Sequence, residues 1–409
     1  MHTLKLALKV LRRRKFFPFV SLFAVTFTLL VLLVATALLD GTFAPNPPED
    51  RPQRTLLVTN AQAKGEHATR TGWAGYRLLA HAVPNLPGVE RAAFFSTQRK
   101  LTTYHEGRKL TCQTRRVDGE FWRVFRFSFL EGDPFTPEDE TQAAPVAVIN
   151  ATTRDRFFGG GPAVGKTFEL DGRRLRVVGV VRDVSSLRLL TYSDVWVPIS
   201  LTRSDAYKRE LVGDFGAAVL LSPGTRAQDV AAEFERRVST MPLDDPMFTT
   251  LKAPLDTLFG TVTSTFLDQT ASGKGALAMT YIWLAALMFM GLPALNLVNL
   301  NLSRILERAS EIGVRKSFGA TSGALARQFL LENVLLAGVG GLLAVLLAAV
   351  TLAGLNRSGW IPYAELSLNL RVLGWGLLLT LVFGVLSGVL PAWRMSRLHP
   401  VGALQGRFE

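Results

Sequence analysis

The stretch Glu311-Ile312-Gly313-Val314-Arg315-Lys316-Ser317-Phe318-Gly319-Ala320 is a charged island between two long apolar runs. The run before it covers residues 277–300 and the run after it residues 329–355. Each is long enough to cross a bilayer, which takes roughly 20 residues of helix. The island therefore reads as a short loop at a membrane face, an arrangement for which a soluble enzyme has no use. Two further apolar runs, 17–39 and 372–393, end beside charge and complete a set of four spans.

Short loops rich in Lys and Arg stay on the cytoplasmic side. Residues 1–16 carry Lys5, Lys9, Arg12, Arg13, Arg14 and Lys15 without an acid. The loop 301–328 carries Arg304, Arg308, Arg315, Lys316 and Arg327, and the tail 394–409 carries Arg394, Arg397 and Arg407. These three segments are expected inside, which leaves 40–276 and the short loop 356–371 outside; four crossings with both termini cytoplasmic close the parity. The same topology accounts for the net charge of +13. The inner segments hold 14 basic residues against Glu307, Glu311 and Glu409, a balance of +11, and the rest of the chain is nearly neutral at +2. The basic excess is a topology signal, with attraction to anionic inner-leaflet lipid as its consequence, and nucleic acid is not an expected partner.

Ala35-Thr36-Ala37 behind a basic start is similar to a signal-peptide cleavage site. The apolar run from Phe16 to Val34 exceeds the roughly 7–15 residues usual in such a peptide, so the first span is expected to be retained. The outward segment is long enough to bury its own core, and Cys112, the lone cysteine, excludes an intrachain disulfide.

Within 40–276, Ala44-Pro45-Asn46-Pro47-Pro48 marks a break after the first span. Strands are expected at 55–59, 90–96, 145–150, 167–170 and 174–181, with Asp171-Gly172 as a hairpin turn. Helices are expected at 76–83, stopped by Pro84, and at 225–241, where Val230, Phe234 and Val238 share one side. This is the pattern of a mixed α/β domain. Residues 254–270, with Leu255, Leu258, Phe259, Val262 and Phe266 apolar, predict a helical stalk running to the second span.

Gly160-Gly161-Pro162-Ala163-Val164-Gly165-Lys166-Thr167 spells the phosphate-binding motif G-x-x-x-x-G-K-[ST]. A working phosphate loop joins a buried strand to a helix whose first amides hold the phosphates. Here a strand and turn are expected to follow, on the outward side where nucleotide is scarce, so the stretch reads as a glycine-rich turn with Lys166 solvated. Other constellations are absent. His2, His67, His81, His105 and His399 form no i,i+4 metal pair, and Asp133, Glu138 and Asp139 sit in a proline-rich turn region.

In the inner loop, Ile305, Ile312 and Val314 alternate with charge, and Glu311 precedes Arg315 by four, the favourable direction for a helical ion pair. Gly313 and Gly319 cost the helix about 1 kcal/mol each relative to Ala. An interfacial helix with snorkelling Arg and Lys is the blander reading. A docking helix for a cytosolic partner explains the glycines as well, since they permit close approach.

At these residues the chain resembles the bacterial MacB/FtsX (type VII) family of ABC transporter permeases. Arg308, Glu311, Ile312, Gly313, Arg315, Gly319 and Ala320 match the form R-x-x-E-I-G-x-R-x-x-x-G-A. Gln328-Phe329-Leu330-Leu331-Glu332 and Gly338-Val339-Gly340-Gly341 look like the start of that family's third span, and Pro391-Ala392 to Pro400, Ala403 and Leu404 like its closing segment. His399 departs from the acid often seen there. Leu86-Pro87-Gly88-Val89-Glu90, Phe121-Trp122, Glu131-Gly132-Asp133-Pro134-Phe135, residues 146–150, Phe157-Phe158-Gly159, Val164-Gly165-Lys166 and residues 177–183 follow the order of a MacB-like periplasmic core domain.

The resemblance implies a multi-pass inner-membrane protein: one N-terminal and three C-terminal transmembrane helices, with a large mixed α/β domain and its stalk inserted between the first and second. It implies a non-catalytic permease subunit that dimerises with a second copy or paralogue and recruits a separate cytosolic ATPase. ATP and Mg would be bound by that partner and no cofactor by this chain. Arg308, Glu311, Ile312, Gly313, Arg315, Lys316, Gly319 and Ala320 would form the coupling element: Glu311, Arg315 and Lys316 for polar docking, Gly313 and Gly319 for close packing. Membrane lipids, a periplasmic adaptor and an outer-membrane channel are the further partners this allows. Mechanotransmission to the periplasmic side would drive export or extraction of a substrate. FtsX-like relatives, which regulate a periplasmic hydrolase without moving a substrate, supply the alternative.

Overall fold

In a computed structural model the protein is described over residues 16–105, 108–267 and 321–378, at a few positions between 280 and 318, and at 382. The chain divides into two compact units, one comprising Gly41–Thr280 with Ile361–Ala364 and the other Met1–Asp40, Tyr281–Trp360 and Glu365–Glu409.

The first of these, the core domain, begins at the end of helix α1 (Phe16–Phe43). Strands β1 (Thr55–Val58), β2 (Asn60–Lys64) and β3 (Thr69–Ala74) precede α2 (Tyr76–Ala82). Then come β4 (Val89–Ser96), β5 (Arg99–His105), β6 (Arg108–Val117), α3 (Phe121–Val124), β7 (Phe129–Gly132), α4 (Pro137–Thr141), β8 (Val146–Asn150) and α5 (Ala151–Phe158). The hairpin β9 (Thr167–Leu170) and β10 (Arg173–Val181) leads to β11 (Val195–Pro198), β12 (Val212–Gly213), β13 (Phe215–Leu221) and α6 (Ala227–Ser239). The domain closes with β14 (Thr250–Lys252), β15 (Asp256–Thr257) and α7 (Leu258–Leu267).

Hydrogen bonds order the strands β14-β2-β3-β13-β4-β6-β11-β8-β10-β7; β1 pairs with β13 and β15, β12 with β3, β5 with β6 and β9 with β10. Only β6–β11 and β8–β10 run parallel among the described pairs. Toward one end, α2 and α6 cover the sheet. Val230, Phe234 and Val238 of α6 recur at i, i+4 and i+8 and enter one core with Leu78, Leu79, Phe215 and Val219. A second core, rich in aromatics, holds Phe95, Phe121, Trp122, Phe135 and Trp196. A third lies under α5 and the β9–β10 hairpin with Phe157, Phe168, Leu175, Val197 and Leu201. Burying each such side chain contributes about 1.5–3 kcal/mol against conformational entropy.

Local chemistry sets the element ends. Asn150 caps α5, its side chain accepting from the Thr153 N–H at 2.8 Å. Thr136 and Asp139 form a capping box on α4. Asp171 and Gly172 at φ 54° and 72° make the tight turn between β9 and β10. Gly132 is needed for two reasons: its φ is 58°, and a Cβ there would stand 2.1 Å from the Val178 carbonyl oxygen.

The strands and helices expected in this domain appear with ends shifted by a residue or two. The stalk differs. Leu255 is buried in the α2–α6 core, Asp256 and Thr257 pair with Leu57 and Leu56, and the helix begins only at Leu258, with the Thr257 hydroxyl accepting from the Gly260 N–H. A two-residue strand is too short to break an apolar periodicity, which is why the stretch reads as one helix. Its expected continuation to the second span lies outside the described residues.

In the other unit, α1 buries Val25, Leu29, Leu33 and Ala37, and Val25 and Leu29 pack with Ala344 of α8 (Ser322–Ser358). Gly340 of α8 permits the approach: a Cβ there would stand 2.8 Å from Val25 Cγ1, and the Thr26 hydroxyl donates to the Gly340 carbonyl at 3.2 Å. The remaining face of α1 carries Phe19, Phe23 and Phe27, exposed and stacked at 6.5 and 5.8 Å. Asn369 donates to Asp40, and 370–378 is helical. Two helices among the described residues are long and apolar enough to cross a membrane, Phe19–Phe43 and Val334–Ser358. Most of the runs 277–300 and 372–393 lies outside the described residues.

Candidate coupling site

Of the inner loop, Arg308, Glu311, Ile312, Gly313, Arg315, Lys316, Gly319 and Ala320 all lie outside the described residues. Val314 and Phe318 are described. The Phe318 N–H donates to the Val314 carbonyl, four residues earlier, at 3.1 Å. Both side chains face out, Val314 46 % and Phe318 88 % exposed. Phe318 is not among the residues that charge and spacing single out; its signal is an aromatic in an otherwise polar turn.

The core domain also holds a buried polar cluster whose members, Glu49, Arg115, Arg188 and Thr191, lie far apart in the sequence. The chain leaving α1 passes Ala44 and turns Glu49 inward. Glu49 accepts from the Thr191 hydroxyl at 2.7 Å and lies 4.0 Å from Arg188, which donates to the Ala44 carbonyl at 2.7 Å. Arg115 donates to the Ser96 and Leu189 carbonyls at 3.0 and 2.9 Å, its guanidinium over the Phe95 ring. Burial pushes the Glu49 carboxyl above its ordinary range, outweighing the opposing pulls of Thr191, Arg188 and Arg115. Burial likewise pushes Arg115 down to about 10, with Glu49 pulling the other way. The 185–194 loop is held from a second direction too: Ser186 N–H donates to the Pro362 carbonyl at 3.0 Å, and the Tyr363 hydroxyl to Asp194 at 2.7 Å. One loop thus grips the segment that follows α1 and the segment Ile361–Ala364.

The glycine loop 160–167 is built in reverse of a phosphate loop. Helix α5 precedes it and strand β9 follows. The Ala163 N–H donates to Glu131 at 2.8 Å, and Arg154 pairs with the same carboxylate at 3.1 Å. The Ala163 amide thus already holds an anion supplied by the protein, and together these bonds keep the Glu131 carboxyl below its usual range. Lys166 lies over the Phe158 ring at 5.3 Å. Among the described residues no group of His, Cys, Asp and Glu is arranged to hold a metal.

A family model described as the MacB-like periplasmic core domain matches residues 19–237, more than half of the chain, and one described as the FtsX-like permease C-terminal matches 283–400. This chain belongs to the MacB/FtsX-type family of ABC transporter permeases. Among curated relatives, the uncharacterized ABC transporter permease YknZ of Bacillus subtilis is 23% identical over 79% of this chain and 77% of its own. The macrolide export ATP-binding/permease protein MacB of Escherichia coli is 28% identical over 70% of this chain. The chain spans 42% of the length of that relative. Of solved structures, the periplasmic region of MacB from Actinobacillus actinomycetemcomitans aligns with a TM-score of 0.39 at 15% identity, over 54% of this chain and 95% of that one.

In this MacB/FtsX-type chain the core-domain motifs are packing motifs. Gly132 lies against Val178, the Gly165 N–H donates to the Val177 carbonyl at 2.8 Å, and Asp183 accepts from the Thr152 N–H at 3.0 Å. Trp122 packs edge-on to Phe135 and Trp196. Stretches far apart in sequence close one compact half of the domain.

Proposed function

We propose that the protein is the permease subunit of a MacB-like transporter, crossing the inner membrane four times with both termini cytoplasmic and working with a separate ATPase as part of a permease pair. The observation that carries this reading is the pair of family matches, over residues 19–237 and 283–400, which follow one another along the chain. Glu311, Arg315 and Lys316 dock to the ATPase, Gly313 and Gly319 allow close approach, and Phe318 is the apolar anchor. Closure of the ATPase pair moves the loop and α8 as a rigid body. That displacement is passed on to the periplasmic domain, and a substrate on the periplasmic side is expelled. Export is favoured over signalling alone by the match of the MacB-like core-domain model to residues 19–237.

The test is co-purification. Phe318→Ala should reduce the ATPase recovered with the full chain by about tenfold, as expected for a central aromatic anchor, with membrane insertion retained. Undiminished recovery would remove Phe318 from the interface.

A further inference from the structure

At the edge of the third core, four arginines converge on one rim. Arg99 stands two residues before Leu101, which packs on that core, and Arg116 two after the buried Thr114. Arg173 stands two before the buried Leu175. Strand alternation puts residues two apart on the same face, so these three side chains emerge where the apolar surface ends. Arg99 is opposite Thr114 across the β5–β6 pair, which makes it the diagonal neighbour of Arg116. Arg203, two residues beyond the buried Leu201, reaches the β9–β10 turn and donates to the Asp171 carbonyl at 2.5 Å and to its carboxylate at 3.0 Å.

The rim is under-neutralised. Asp171 pairs with Arg203 and Asp214 with Arg99. Arg116 and Arg173, among the described residues, have no carboxylate within ion-pair distance. Four guanidiniums against two carboxylates leave an excess of two positive charges. Arg116 is only partly exposed and keeps its charge, since a guanidinium does not give up its proton near neutral pH. Burial first, then the fields of Arg99, Arg173 and Arg203, push its pKa below the ordinary value, outweighing the opposing pull of Asp171.

We propose that the rim formed by Arg99, Arg116, Arg173 and Arg203 is an anion site for a phosphoryl group, carried by a free solute or by a lipid headgroup. A phosphate monoester brings about −1.5 to −2 charge and three acceptor oxygens, which matches the excess of two and the planar donor forks of Arg116 and Arg173. A carboxylate brings one charge and two oxygens and leaves the rim unbalanced. The site uses none of the residues of the glycine loop, whose Ala163 amide Glu131 occupies.

The experiment uses the full chain in neutral detergent at low ionic strength. Inorganic phosphate is titrated calorimetrically, with acetate as the comparison. In parallel, the chain is floated with phosphatidylcholine vesicles with and without phosphatidic acid. Arg116→Gln and Arg173→Gln are compared with Arg70→Ala, an exposed arginine of β3 far along the sheet. Phosphate binding that weakens about tenfold in each rim variant but not in Arg70→Ala identifies a free-solute site. No binding of free phosphate, together with flotation that requires phosphatidic acid and both rim arginines, identifies a headgroup site. Binding that is equal in wild type and rim variants, equal for acetate and phosphate, or absent with both probes would overturn the proposal. Arg116→Lys, which retains charge without the fork, should recover part of the affinity, which a folding defect would not allow.

Discussion

Residues 160–167 and 311–320 are both short, glycine-bearing and basic, and they differ in what surrounds them. The first spells a complete phosphate-binding motif, yet a helix ends before it, a strand follows it, and Glu131 takes the Ala163 amide. The second spells no nucleotide motif, leads into α8, and exposes Val314 and Phe318 at its described positions. The chemistry of a motif depends on which groups the fold leaves unsatisfied, and letters do not report that.

The widest separation between the two stretches comes from charge reversal. Glu311→Lys should abolish recovery of the ATPase with the full chain while membrane insertion persists; intact recovery would remove Glu311 from the interface. Next, Gly132→Ala, beside the glycine loop, should destabilise the core domain by about 3 kcal/mol, since the new Cβ meets a backbone oxygen at positive φ. Chemical denaturation followed by tryptophan fluorescence reads this, and a loss under 1 kcal/mol would mean the backbone relaxes freely there.

Glu131→Gln should cost about 1–2 kcal/mol near neutral pH. Its carboxyl is held low first by the Ala163 N–H and then by Arg154, so its contribution is complete above the unfolded value of 4.5 and fades as pH falls through the lower folded value. The gap between variant and wild type should therefore narrow on acidification; a gap that widens contradicts the assignment. The smallest effect is expected from Lys166→Ala. The stacking on Phe158 is worth about 0.5 kcal/mol at an exposed site, and ATP turnover of the assembled complex should not change. Lost turnover would make the glycine loop a nucleotide site after all.

Where periodicity or turn chemistry is local, the core domain is legible from its sequence. Val230, Phe234 and Val238 declare the buried face of α6, and Asp171-Gly172 declares its hairpin. The family motifs carry the permease assignment. Other features depend on partners distant along the chain. Glu49 lies in a proline-rich turn and meets Thr191 and Arg188 only after folding. Arg115 and Arg116 are adjacent in sequence and point to opposite faces of β6, one stacked in the aromatic core and the other on the charged rim. A strand of alternating polar residues conceals both roles, because either arginine alone reads as solvated.

The most direct test of the permease account is the turnover of the partner ATPase, measured in lipid nanodiscs with and without this chain. Turnover is expected to depend on the chain, to fall to the level of the ATPase alone with Glu311→Lys, and to be unchanged with Lys166→Ala. Turnover indifferent to the presence of the chain would contradict it.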